Sequence, residues 1–316
     1  MNFSYMFNKK NYILFAILII LAGGTYLYTV PFQQWQQKRA SGNETNFLRN
    51  AQMSTVDKIE VTDTAGKIFT ITKNNGTWFL QPDNWPTEKI LTDALEEKMT
   101  AIANAHLEVI SINPDNKASF GITDTAMKAK FFNADKEAGS FIIGNIASDY
   151  QSTYIGREND DKTYSVKETL TRAFDVEDWR DRTITNAESA NVDAITLTYP
   201  SQQIELTNKP VESGEAYWRA TKPYVARLQK DKIDTFLNTA AKLEASDIPA
   251  QDVKDTGLET PALQVILQGA GVDIRLSVSA KDASGMYFLR EETSGRIYLI
   301  SQQNHDELFK QIRDFQ

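Results

Sequence analysis

The second half of the chain repeats the order of signals found in the first. A tryptophan strand that runs into a proline, Trp78 to Pro82, returns as Trp218 to Pro223, and the helical stretch Pro86 to Ala105 returns as Lys230 to Ala245. Phe120-Gly121-Ile122-Thr123 returns as Thr256-Gly257-Leu258-Glu259-Thr260-Pro261, ahead of the strand Leu263 to Leu267. Tyr154-Ile155-Gly156-Arg157-Glu158 pairs with Tyr287-Phe288-Leu289-Arg290-Glu291, and Tyr164-Ser165-Val166 with Tyr298-Leu299-Ile300. The offset drifts from 140 at the tryptophans to 136 at the glycines and to 133 and 134 at the tyrosines, as small loop deletions would make it. Such a chain is expected to fold as two copies of one unit, 56–176 and 192–316, with 177–191 as the joint.

The spacing of apolar residues sets the element types. Alternation at Ile59, Val61 and at Ile68, Thr70, Thr72, around the turn Asp63-Thr64-Ala65-Gly66, predicts a hairpin. Asn74-Asn75-Gly76 predicts a second turn, and Trp78, Phe79 and Leu80 a third strand ending at Pro82. Leu91, Leu95, Met99 and Ile102 recur at helical spacing and predict an amphipathic helix. In the second copy Ile233, Phe236, Leu237 and Ala240 mark the same face, with Asp231 placed to cap its start. Lys128–Phe132, Ser140–Ile143, Thr153–Arg157 and Thr163–Val166 read as short strands. The expected class is α+β: two tandem strand-rich units, each an antiparallel or mixed sheet with a covering helix, after one N-terminal transmembrane helix.

That transmembrane helix is Tyr12 to Val30, a run without a charged residue. As a helix it rises about 28 Å, close to the roughly 30 Å of a hydrocarbon core. Lys9 and Lys10 precede it, and Trp35, a ring suited to the headgroup layer, follows. Charge is nearly even across it, Lys9 and Lys10 against Lys38, Arg39 and Arg49. Orientation therefore rests on the short tail 1–11 staying inside while the long domain crosses, which leaves the C-terminal domain extracytoplasmic in a single-pass cell-membrane protein. Residues 31–55, polar and mixed in charge, read as a stalk. The competing reading is a secretory signal cleaved at Ala22-Gly23-Gly24; the apolar character that continues through Tyr26, Leu27, Tyr28 and Val30 favours retention.

Bulk properties narrow the partners. The net charge is -8, and it becomes -10 beyond residue 37 because the preceding residues hold two lysines and no acid. An acidic body is repelled by phosphates, so no nucleic-acid partner is expected, and membrane contact is expected through residues 12–30 alone. The chain has no cysteine, which removes disulfides, thiolate metal sites and cysteine nucleophiles together.

Candidate chemistry is sparse. His106 and His305 are the only histidines, and neither has a serine, aspartate pair or second histidine at ligand spacing. No catalytic, cofactor or metal residue is assigned. Asp160-Asp161 and Glu291-Glu292 are carboxylate pairs, but a retaining glycosidase needs its two carboxylates about 5 Å apart in a cleft, which adjacency in sequence does not supply. Gly269-Ala270-Gly271 reads as a hairpin turn, since no strand-to-helix context follows it. Trp78 and Trp218 are read as packing residues rather than stacking platforms for a sugar or peptide. The arginines of the Tyr-x-x-Arg-Glu segments have the fork to hold a carboxylate or phosphate partner, although the acidic turns that follow favour intramolecular pairs. The stretch Glu177-Asp178-Trp179-Arg180-Asp181-Arg182 reads as glue between the copies. Candidate partner-contact or structural positions are therefore Tyr154, Arg157, Glu158, Tyr287, Arg290, Glu291, Trp179, Arg180 and Arg182.

Several of these features together resemble the family called domain of unknown function 4340. They are Gly76-x-Trp78 running into Pro82, the helix after it, Phe120-Gly121-Ile122, Ile143-Gly144, the Tyr154 strand, Tyr164-Ser165-Val166 and Trp179-Arg180-Asp181-Arg182, and they span nearly all of the chain past the apolar run. The resemblance implies a membrane-anchored protein with a repeated α+β unit, some members being auxiliary parts of an ABC-type transport system of the gliding-motility kind. It brings no reaction. The second copy departs from the pattern at Val278-Ser279, where Ile-Gly would stand. The expected function is a non-enzymatic, membrane-tethered extracytoplasmic module that binds protein partners. Two other readings stay open: a hydrolase acting on polysaccharide or envelope polymer through Asp/Glu pairs, and a small-ligand-binding protein with its site between the units. Intact mass of the protein purified from membranes should equal that of the full chain; loss of a mass matching residues 1–24 would instead establish cleavage.

Overall fold

The computed structural model describes residues 18–21, 55–208, 216–281 and 285–316. Of the expected transmembrane helix, only Leu18–Leu21 lie among these; they are helical and exposed. The rest of that run and the stalk up to residue 54 lie outside the described residues. Among the described residues, no helix is long and apolar enough to cross a membrane.

The chain divides into two units, one ending at Asp181 and the other beginning at Arg182. In the first, β1 (Lys58–Thr62), β2 (Ile68–Asn74), β3 (Thr77–Leu80) and β4 (Trp85–Pro86) lead into helix α1 (Lys89–Asn104). Strand β5 (Glu108–Ser111) and a 3-10 helix (Pro114–Phe120) precede β6 (Met127–Asn133), β7 (Lys136–Ile146), β8 (Thr153–Gly156), β9 (Thr163–Val166) and the short α2 (Thr171–Phe174). Every pairing is antiparallel, in the order β4-β3-β2-β1-β6-β7-β8-β9-β5.

The second unit repeats this plan. It runs β10 (Val192–Tyr199), β11 (Gln202–Thr207), β12 (Arg219–Lys222), β13 (Ala226–Arg227), α3 (Lys230–Ala240), β14 (Leu263–Gly269), β15 (Val272–Val278), β16 (Tyr287–Glu291), β17 (Ile297–Ile300) and α4 (Gln302–Leu308). The sheet order β13-β12-β11-β10-β14-β15-β16-β17 is that of the first unit strand for strand, again antiparallel throughout. The edge strand β5 is the exception. In the second unit its place is taken by a single bridge between Asp247 and Leu299, with the Ser246 N–H donated to the Leu299 carbonyl at 2.8 Å.

Burial on one face explains both sheets. Strand β1 buries Ile59 and Val61 while Lys58, Glu60 and Thr62 stay half-buried, the period of two expected of a strand with one covered face. Phe69 and Ile71, Ala129 and Phe131, Phe141 and Ile143, and Ile155 join them in one core cluster, onto which α1 lays Leu95, Met99 and Ile102, with Leu91 at its margin. Helix α3 buries Ile233, Phe236, Leu237 and Ala240, the face read from the sequence. Asp231, however, is not its cap. The N-cap position is Gln229, whose side chain makes no capping bond; its backbone N–H instead donates to the Phe315 carbonyl at 2.8 Å.

The first unit makes the same closure. The Glu88 N–H, just ahead of α1, donates to the Trp179 carbonyl at 2.9 Å, and Trp179 is fully buried in the first core. Thr87 and Arg180 form an antiparallel bridge, the Asp181 N–H reaches the Pro86 carbonyl at 2.8 Å, and Trp85 Nε1 donates to the Asp181 carbonyl at 3.0 Å. The stretch expected to glue the copies together is thus the last layer of the first unit as far as Asp181. Arg182 belongs to the second: its carbonyl accepts from the Ala245 N–H at 2.8 Å and its Nη1 donates to the Ser246 carbonyl at 3.2 Å. Truncating Trp179 or Phe315 to alanine should each cost about 3–5 kcal/mol of its own unit's stability, read as a lowered urea midpoint.

Candidate functional site

A hollow of the first unit forms where two irregularities meet. At the end of β7 the register against β8 shifts, Ile143 facing Ile155 but Ile146 facing Thr153, so the strand bulges at Gly144-Asn145. Opposite, the 3-10 helix ends on Gly121 in the left-handed region at φ 76°. A Cβ on Gly121 would lie 2.5 Å from Asn145 Oδ1 and 2.7 Å from the Asn145 nitrogen, and one on Gly144 would collide with the Phe120 carbonyl. Bare backbone at both positions is what lets the bulge and the cap approach.

The resulting hollow, of volume about 540 Å³, is walled by Thr64, Thr123, Thr125, Thr171 and Asn145 over a floor of Ala126, Met127 and Ile143, with half-exposed Ile146 at the rim. None of its lining side chains carries a charge. Hydroxyls and an amide both donate and accept, so the lining suits an uncharged ligand with mixed hydrogen-bonding groups. No His, Lys, Asp or Glu stands among its lining residues. The turn beyond Ile146 is pinned by Asp149, which accepts from the Gln151 N–H at 3.0 Å, the Ser152 N–H at 2.9 Å and the Ser152 hydroxyl at 2.6 Å. The Ser152 hydroxyl and those N–H groups hold the Asp149 carboxyl below its ordinary range. This turn presents Tyr150, 82% exposed, at φ 58°.

In the second unit Ser279 stands where Gly144 does. It is buried, and its Oγ accepts from the Phe288 N–H at 3.0 Å and donates to the Ala280 carbonyl at 2.8 Å. The departure seen in the sequence is therefore a substitution of bare backbone by an internally satisfied hydroxyl.

The residues singled out in the sequence do not converge. Tyr154 packs edge-on against Phe120 at 4.8 Å, whereas Tyr287 stacks on His305 at 3.9 Å and donates to Gln302 Oε1 at 2.8 Å. Their pairing was one residue out of register. Ile155 faces Tyr164 and Leu289 faces Tyr298, so Tyr154 corresponds to Phe288, which packs with Leu258 and Leu299. Tyr287 lies on the other face. Arg157 is exposed, and Glu158 stands 3.7 Å from Lys128 Nζ and 3.4 Å from Lys130 Nζ. Arg290 pairs with Glu292 at 3.1 Å and reaches the Leu258 carbonyl at 3.4 Å. Burial works to raise the Glu291 carboxyl, but hydrogen bonds from Ser294 and Thr293 outweigh it and hold it low. Arg180 grips Asp178 through Nε at 2.9 Å and Nη2 at 2.8 Å. These are intramolecular pairs.

The remaining candidates are structural as well. Trp78 and Trp218 are each 5% exposed, too buried to stack on a ligand. Trp78 Nε1 donates to Glu96 Oε1 at 2.6 Å, beside Lys73 Nζ at 2.7 Å. Burial favours the neutral Glu96 carboxyl, but these two donors win and lower it. Asp160 accepts the Tyr164 hydroxyl at 2.7 Å; burial, then that bond, raises the phenol well above its ordinary range. His305 is sandwiched between Tyr287 and Phe309, His106 is exposed, and Gly269-Ala270-Gly271 turns the β14–β15 hairpin. Among the described residues, no group of three His, Asp or Glu is placed to hold a metal. Sequence reasoning missed the hollow because its four threonines share no pattern; only its two glycines carried a signal.

A family model described as Domain of unknown function (DUF4340) matches residues 78–215 and again 218–316. The matches open at the tryptophan strands, one hairpin later than the sheets do, so the first of them also takes in β10 and β11. No curated protein and no solved structure matches the chain.

The Glu96 network sets a pH dependence. Because the folded carboxyl titrates below its usual 4.5, its ionisation favours the folded first unit above that pH, and the contribution is lost as pH falls through the folded value. Glu96→Gln should flatten this acid limb, measured as the urea midpoint at descending pH.

Proposed function

Because the chain belongs to the DUF4340 family, matched twice over most of its length, we propose that it is a non-enzymatic module that binds protein partners, tethered to a membrane through residues 12–30 with both units extracytoplasmic. An auxiliary role in an ABC-type transport or envelope system is the setting that the family resemblance favours. Tethering is supported by the uncharged run and by the lysines and tryptophan that flank it.

The observation that carries the binding reading is the uncharged, hydroxyl-lined hollow built on the two motif glycines. Its size falls within the roughly 300–1,000 Å³ of small-molecule and cofactor sites. Its donors and acceptors suit the backbone of an extended partner segment, and Tyr150, exposed on the turn that follows Ile146, is an aromatic side chain of the kind that dominates interface energies. The same hollow favours, as a second reading, a small neutral ligand held within the first unit.

Co-purification of the full-length protein from gently solubilised membranes should recover a partner, and Asn145→Lys, which puts a charge and a longer chain into the hollow, should cut that recovery about tenfold. Recovery of the protein alone at every detergent strength would count against the proposal. A thermal-shift screen with neutral sugars and short peptides separates the two readings, since only the small-ligand reading expects a sugar to raise the melting temperature.

A further inference from the structure

The first sheet is notched at the end where the second is flush. Ile143 of β7 pairs with Met127 of β6 on one side and Ile155 of β8 on the other, and Val278 of β15 stands in the same way between Leu263 of β14 and Leu289 of β16. Val278 ends its strand, and its carbonyl takes the Ala262 N–H at 2.9 Å, which carries the pairing one residue past β14. In the first unit β7 instead runs on through Gly144, Asn145 and Ile146, while β6 begins only at Met127. Ala126, the counterpart of Ala262, gives its N–H to the Thr123 carbonyl at 3.1 Å and turns away. The last three residues of β7 therefore have no strand on their β6 side.

The neighbour beyond β6 stops as well. Strand β1 ends at Thr62, opposite Lys128, and its chain reverses in a turn held by Asp63 Oδ1, which accepts the Ala65 and Lys67 N–H groups at 2.8 Å each. Because β6 is the strand between β1 and β7, the line it leaves vacant past Met127 is one strand wide. The hollow lies on that line: Thr64 of the β1–β2 turn walls one side, Asn145 and Ile146 of the overhang the other, and Thr125 and Ala126 stand where β6 breaks off. Asn145 and Ile146 are exposed, and an open strand edge offers its backbone groups to an incoming segment. A charged side chain would enter the hollow without a counter-charge, since none of its lining residues carries one.

We propose that the partner of this hollow presents an extended, uncharged segment that adds as a strand along the β7 overhang, in line with β6. The proposal rests on the reading of the hollow as a partner site and supplies its binding mode and side-chain class. Backbone hydrogen bonds to the overhang make the attachment, and small neutral side chains at alternate positions enter among the threonines. The flush end of the second unit has no such place.

The full chain in detergent can be titrated with a fluorescently labelled peptide, Ser-Val-Ser-Val-Ser, blocked at both ends to remove terminal charge. Its controls are the same peptide N-methylated at the valines, the same N-methylated at the serines, and one with lysine in place of each serine. Binding of the parent peptide is expected, weakened about tenfold by methylation of one alternate set, by the lysines, and by Asn145→Lys. Methylation alters the probe and not the protein, so that readout holds even if the variant folds poorly. No binding of the parent peptide, an affinity indifferent to methylation of either set, equal binding of the lysine peptide, or an affinity indifferent to Asn145→Lys in a variant that melts like the parent would each overturn strand addition. The underlying reading of the hollow fails separately, if Asn145→Lys leaves partner recovery from membranes unchanged, whatever the peptides do.

Discussion

One backbone hydrogen bond, made once in each unit, holds the architecture together. The N–H immediately before the covering helix is taken by the carbonyl of a buried aromatic from the end of the same unit, Glu88 by Trp179 and Gln229 by Phe315. Helix starts leave N–H groups without intrahelical partners, and neither helix has a capping side chain at its N-cap position. The closing segment therefore satisfies the helix start and fills the core behind it in one step. Ring volumes follow suit. Leu95 of α1 occupies the place that Phe236 holds in α3, so the larger closing aromatic accompanies the smaller helix residue, and Phe236 meets Phe315 at 5.6 Å.

Where side-chain type alone decides burial, the sequence was easy to read. Ile59 and Val61, or Leu95, Met99 and Ile102, are apolar at a fixed period, and a single covered face demands that period. The repeat was visible for the same reason. What failed was whatever depends on pairing. Tyr154 and Tyr287 look equivalent as letters, but the face of a strand residue is set by cross-strand register, and a slip of one residue turns it over. Strand β5 was overlooked because Glu108-Val109-Ile110-Ser111 is too short to show alternation. Trp179, flanked by Asp178 and Arg180, resembles a linker residue; only its tertiary contacts place it in the core.

The two copies keep one plan and spend their differences in loops and edges. Around Gly144 the first leaves a bulge and an open hollow, while Ser279 in the second turns its hydroxyl back on the main chain. At the β3–β4 hairpin the first is uncharged, and the second is cationic and aromatic at the corresponding strands. Duplication preserved the cores and left each copy with a different surface to offer.

The phase between family match and sheet has a practical edge. Strands β10 and β11 are central and next-to-central in the second sheet, yet they fall in the stretch assigned to the first match. Anyone dissecting the protein by homology would sever it near residue 217, handing the amino-terminal piece two orphaned strands with exposed hydrogen-bonding rims and leaving the carboxy-terminal piece without the middle of its sheet. Scissors placed between Asp181 and Arg182 cross no ladder in either half.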